Sequence, residues 1–166
     1  METNPTGREC QIYSVPRMAE PLTVTAQASW LLRRLKRIAK RRVSFLRAAL
    51  AGRPATSRAA ARPAHEVLRA GDVVRVKSRA EIEATLDRWN QLGGCTFMEE
   101  MLPYCNTTQR VFKRVERFLD ERDYRTKKTR GIVLLQGLLC EGTKDFGPCD
   151  RSCYFFWREE WLEKVG

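Results

Sequence analysis

Leu68-Arg69-Ala70-Gly71-Asp72-Val73-Val74-Arg75-Val76-Lys77-Ser78 is where this chain begins to read as a folded body. Residues 69–72 have the composition of a turn, and the valine-rich run after them, with Arg75 and Lys77 interleaved, alternates as a strand does. A Gly-Asp turn feeding a short valine strand is a frequent opening of small β-barrels. The expected fold class is therefore α+β: a small, β-rich, barrel-like domain with short helices, the SH3-like barrel among its options.

Downstream, Ser78 with Glu81 three residues on fits a capping box, and Ile82, Leu86 and Trp89 share one face, so a compact helix is expected up to Gly93-Gly94. Residues 95–105 read as a single turn that directs Phe97, Met101 and Leu102 inward and delivers Cys105 to the core. Residues 109–115 read as a strand, 120–130 as a polar charged loop, and 131–139 as a buried strand that feeds Cys140. Tyr154-Phe155-Phe156-Trp157 is a last aromatic strand. Residues 158–165 close the chain as a short helix returning Trp161, Leu162 and Val165 to the core.

Upstream, the physics changes. The chain of 166 residues carries a net charge of +11, yet residues 21–65 hold 11 Lys or Arg and no Asp or Glu, so the rest balances 20 basic against 20 acidic residues. The excess charge belongs to one segment. Within it, Leu32, Leu35, Ala39, Val43, Leu46 and Leu50 recur every three or four residues, which predicts a helix over residues 30–51 with Ser29 as N-cap and Gly52 as stop. The expected organisation is a disordered tail over 1–28, a basic amphipathic helix over 29–52, a flexible linker over 53–67 and a cysteine-rich, metal-binding domain over 68–166. Such a helix suits docking on a protein partner, an anionic membrane surface or nucleic-acid phosphates, with Arg33, Arg34, Arg37, Lys40 and Arg41 as the contact residues. The plainer alternative packs its leucine face on its own domain and leaves the arginines in solvent.

Six cysteines are present, and Cys105, Cys140, Cys149 and Cys153 fall in the body. The last three span a Gly- and Pro-containing stretch, the kind of loop that folds thiolates around one centre, and zinc and iron–sulfur centres each take four ligands with thiolate the best-matched donor. These four are the expected metal ligands, for zinc or an iron–sulfur cluster. Cys10 lies in the expected tail and Cys95 follows the Gly-Gly turn as a spectator. The opposing reading makes the cysteines small core hydrophobes.

The runs Gly71-Asp72-Val73-Val74-Arg75-Val76-Lys77-Ser78, Glu81-Ile82 with Thr85-Leu86-Asp87, Phe97-Met98 with Glu100-Met101-Leu102 and Tyr104-Cys105, and Cys149 with Cys153 followed by Phe156-Trp157, Glu159 and Trp161-Leu162 carry a resemblance. Over about residues 70–165 the chain resembles an uncharacterised bacterial family of small cysteine-rich proteins. The resemblance implies a domain boundary near residue 70 and no particular activity. Members have a further cysteine near the position of Leu119, which this chain lacks, and that departure bears on the fourth ligand.

Catalytic signatures are few. The single histidine, His65, sits in the expected linker, which leaves a cysteine nucleophile without a base in reach. Glu99-Glu100 and Glu159-Glu160 are adjacent pairs whose side chains diverge, and no phosphate-binding glycine loop or HExxH is present. The sequon Asn106-Thr107-Thr108 matters only outside the cell, and residues 1–16 lack the succession of an export signal, so a cytoplasmic location, with peripheral attachment at a membrane surface as an option, is expected. No apolar run approaches the length of a bilayer span. The functional expectation is a four-cysteine, metal-binding, non-catalytic accessory or interaction protein that docks on a macromolecular partner through its basic helix. The alternative is a small iron–sulfur redox protein assisting an enzyme.

Overall fold

A computed structural model of the chain describes residues 11–56 and 67–165. His65 and Cys10 lie outside the described residues, as do most of the expected linker and the first ten residues of the expected tail. In chain order the helices and strands are α1 (Val15–Met18), α2 (Val24–Leu50), β1 (Val73–Val76), α3 (Arg79–Ala84), β2 (Gln91–Leu92), β3 (Cys95–Thr96), β4 (Thr108–Asp120), β5 (Arg125–Leu135), β6 (Leu139–Thr143), β7 (Gly147–Tyr154), β8 (Trp157–Arg158) and β9 (Leu162–Lys164). Short 3-10 turns occupy Glu99–Tyr104 and Glu159–Trp161.

The α+β class is as expected, but the sheet is open and not a closed barrel. Its order is β8-β5-β4-β1-β9, every pair antiparallel, while β2–β3 and β6–β7 form separate two-stranded sheets. Closure fails because the edge strands β8 and β9 are only two and three residues long. A barrel needs its first and last strands to pair along their length.

Strand β1 forms where the valines foretold it. Val74 and Val76 face the core and are wholly buried. The capping box also forms: Ser78 Oγ accepts the Glu81 N–H and the Glu81 carboxylate accepts the Ser78 N–H, at 3.3 and 2.8 Å. The helix it starts is short, however, and ends at Ala84 instead of reaching Leu92. The buried Asp87 carboxylate accepts the N–H groups of Trp89 and Gln91 at 2.8 and 3.0 Å, and Asn90 takes a φ of 60°. An aspartate that captures backbone donors in this way competes with the helix ladder. Gly93-Gly94 is then the turn of the β2–β3 hairpin, with positive φ at both residues, and Trp89 is left on the surface instead of in the core.

Two further expectations change for one reason, the reach of main-chain pairing. The expected loop over 120–130 is mostly strand: β4 and β5 continue as a charged ribbon through the pairs Arg117↔Lys128 to Asp120↔Arg125. The expected terminal helix is a 3-10 turn followed by β9, whose Leu162, Glu163 and Lys164 pair with Val76, Arg75 and Val74. Trp161 and Leu162 are buried as expected, whereas Val165 is exposed.

The core gathers Ile82 and Leu86 after β1, Met101, Val111, Val133 and Leu135 of the middle, and Trp157 and Trp161 of the C-terminal part. Trp161 stands edge-on to Phe97 at 5.4 Å between centroids and donates its indole N–H to Thr85 Oγ1 at 3.1 Å. Removing that ring opens a cavity and orphans a hydroxyl contact. Trp161→Ala is expected to lower unfolding free energy by about 3–5 kcal/mol, measured by urea denaturation, and Ser78→Ala by about 1 kcal/mol.

Candidate functional sites: the reversed basic helix and the thiol hairpin

Helix α2 starts at Val24, earlier than expected, because Thr23 and not Ser29 is its N-cap, accepting the Ala26 N–H. Its 27 residues carry eight Lys or Arg and no acid, and at 1.5 Å per residue it is about 40 Å long. Ala48 alone is buried among its residues. No helix among the described residues is long and apolar enough to cross a membrane.

The face it turns toward the body is the basic one. Lys40 Nζ pairs with Glu99 at 2.6 Å, and Lys144 reaches the same carboxylate at 3.6 Å. Arg37 lies over the Phe146 ring at 4.2 Å and Arg41 over Trp89 at 5.5 Å. Phe45 packs on Trp89 at 4.6 Å between centroids, with Arg88 over Phe45. Beyond the helix, the Arg53 carbonyl accepts from Arg88 and the Arg53 guanidinium donates to Asn90. At 100° per residue, Arg33, Arg37, Lys40, Arg41, Ser44, Phe45 and Ala48 occupy one side.

Leu31, Leu32, Leu35, Val43, Leu46 and Leu50 occupy the opposite side, and all are exposed; Ile38, exposed as well, lies on the flank beside Phe45 and Trp89. Leu35 keeps 55% and Leu46 60% of its surface in solvent. The ordinary arrangement, leucines inward and arginines outward, is reversed. Of the five expected contact residues, Arg33, Arg37, Lys40 and Arg41 are turned to the body, and Arg34 is exposed against Trp30 of its own helix.

Acidic groups explain the reversal. Glu99, Glu100 and Asp145 line, with Arg37, Lys40 and Arg41, a cleft of about 410 Å³ between helix and body. The Lys40 hydrogen bond holds the Glu99 carboxyl below its ordinary range, and the same bond raises Lys40. Each such contact is weak: an exposed ion pair contributes about 0.2–1 kcal/mol and a surface cation–π contact about 0.5–1 kcal/mol. The helix is thus docked by a few detachable contacts with Trp89 at their centre. Trp89→Ala should raise amide hydrogen exchange across 33–50 by about tenfold while protection in β1, β4 and β5 stays unchanged; unchanged exchange in α2 would contradict this anchoring.

The cysteines are placed by different elements. Cys140 of β6 and Cys153 of β7 are direct cross-strand partners, and Cys149 lies in β7 nearby. Gly142 lets this hairpin close, since a Cβ there would collide with the Gly147 carbonyl. Cys105 follows the 3-10 turn, its thiol raised by burial, partly offset by Arg79 and reinforced by Glu83. Leu119 sits in β4 opposite Thr126. Among the described residues, no group of three or more His, Cys, Asp or Glu side chains is arranged to hold a metal ion. The spacing therefore found the hairpin thiols but did not bring Cys105 into a shared centre with them.

Sequence reasoning took Cys95 for a spectator, and its thiol proves to be the most perturbed. It donates to the Phe156 carbonyl, and burial pushes it up to about 12, partly offset by Arg158 and reinforced by Glu160. The folded state holds this proton more tightly than the unfolded chain, whose thiol titrates near 9.0. The associated stability is present below pH 9 and lost as pH rises toward 12. The fall in urea stability from pH 9 to 11 should be shallower in Cys95→Ala than in the parent; parallel curves would refute the assignment.

No protein-family model, no curated protein and no solved structure matches the chain.

Proposed function

We propose that this protein is an interaction protein that attaches to anionic membrane surfaces through the outer face of α2. The observation that carries the reading is the reversed helix, whose exposed leucine stripe points away from the domain that would ordinarily cover it. A helix with a continuous apolar face flanked by Lys and Arg lies in the headgroup region of a bilayer and buries its leucines a few ångströms deep. Lys36, Arg42 and Arg47 are exposed beside or within the stripe, and each cation near an anionic surface is worth about 1 kcal/mol.

Charge decides between occupants. A second copy would bring eight further cations against the same stripe, and nucleic-acid phosphates would meet leucines where they need arginines. An anionic bilayer offers both an apolar interior and negative headgroups. Metal loading by Cys105, Cys140, Cys149 and Cys153 has no comparable support in the side-chain arrangement and forms no part of this proposal.

The test is co-sedimentation with vesicles of phosphatidylcholine alone and with added phosphatidylglycerol. Binding is expected only to the anionic vesicles and should weaken with salt. Leu35→Asp, at an exposed position, should lower partitioning about tenfold or more, since burying one leucine is worth about 1.5–3 kcal/mol. Absence of vesicle binding, a lipid-free dimer that Leu35→Asp dissolves, or preferential binding to duplex DNA would each overturn the reading.

A further inference from the structure

The β6–β7 hairpin carries three of the six cysteines, and two of them face each other. Directly opposed residues of an antiparallel pair send their side chains to the same face with Cα atoms about 4.5–5.5 Å apart, inside the span of about 4.4–6.8 Å that a disulfide bridges. Cys140↔Cys153 is such a pair, next to the regular pair Leu139↔Tyr154. On its other side the strands lose step: Glu141 alone stands against Cys149, Asp150, Arg151 and Ser152 before pairing resumes at Gly142↔Pro148. Ser152 takes a φ of 54°. This bulge beside Cys153 supplies the backbone slack to bring two sulfurs to bonding distance.

Access and charge agree with the pairing. Cys153 and Cys149 are exposed, and Cys140 is half-buried. The Arg151 guanidinium lies near enough to both exposed thiols to interact with them, and two hydrogen bonds to Glu121, at 2.6 and 2.8 Å, hold it there. The thiolate is the attacking form, and the exposure of Cys153 leaves it open to a disulfide in solution. Cys149, inside the bulge, has no cross-strand cysteine of its own.

We propose that Cys140 and Cys153 are a dithiol–disulfide pair that exchanges with low-molecular-weight disulfides of the glutathione class. The Cys153 thiolate attacks one sulfur of the disulfide, forming a mixed disulfide and expelling a thiolate that takes up the proton Cys153 released. The Cys140 thiolate then attacks Cys153 Sγ and expels the second small thiol in the same way. One external disulfide is reduced to two thiols, and two cysteines are oxidised to one disulfide. The new bond closes the base of a hairpin whose tip meets α2 through Phe146 under Arg37 and meets the 3-10 turn beside the helix through Lys144, whose N–H donates to Glu100. Oxidation thus pins the segment on which the helix rests.

Peptide mapping of the full chain tests this directly. Trypsin cuts after Arg130, Lys144, Arg151 and Arg158, which places the three thiols in separate peptides, 131–144, 145–151 and 152–158. After equilibration with reduced and oxidised glutathione, acid quench and alkylation, peptide 131–144 should be joined to 152–158, two hydrogens lighter than the sum of the free peptides. Dithiothreitol should separate them. Cys149→Ser should keep the link, and Cys140→Ser should halt at a glutathione adduct on Cys153. A link between 145–151 and 152–158, adducts on all three thiols without a cross-link, or no reaction with oxidised glutathione in excess would overturn the proposal, and the parent chain decides the matter even where a variant fails to fold.

Discussion

Strand β1 is four residues long and hydrogen-bonded along both edges, to β4 on one side and β9 on the other. That double pairing ties residues 73–76 to 108–110 and to 162–164, so the start and end of the body share one centre. Because alternate residues of a strand point to opposite faces, the register that pairs Val76 with Leu162 also fixes which way Val74 and Val76 point. Trp161 is carried against Phe97 and Thr85 by the turn immediately before β9. The long β4–β5 hairpin and the short β8 extend outward from this junction.

The cleft that receives α2 is built on that frame. Glu99 comes from the 3-10 turn after β3, Phe146 from the hairpin tip and Trp89 from the segment before β2, so three separate segments meet one face of one helix. Their chemistry is acidic and aromatic, and it selects arginine and lysine over leucine. An amphipathic helix commonly buries its apolar stripe because water is the alternative. Here the body gives the cationic side its own partners, and the leucines stay outside. A surface that is both apolar and anionic is what such a face can satisfy.

The cysteines show how spacing and register answer different questions. Three thiols in a Gly- and Pro-containing run suggested a loop folding around a metal. The run folds instead as two paired strands, because Gly142 permits close approach and Gly147 and Pro148 resume the pairing. Within the hairpin, pairing places Cys140 opposite Cys153, and the bulge sets Cys149 apart. Cys105 belongs to another turn, where Arg79 and Glu83 set its environment.

Local signals were legible wherever the chain satisfies its own backbone nearby. The β1 strand, the Ser78–Glu81 cap, the buried positions of Phe97, Met101, Trp161 and Leu162, and the long basic helix all follow from short-range pattern and capping. What could not be read depends on partners distant in sequence. Asp87 ends α3 early through hydrogen bonds that a helical periodicity does not reveal, the charged ribbon of β4–β5 is strand because each edge finds the other, and residues 162–164 are strand only because β1 offers a free edge. The sequence by itself determined that α2 is a helix with a leucine face and an arginine face. Only the tertiary structure decided which face meets the body, because that depends on Glu99, Phe146 and Trp89 converging from three segments of the chain.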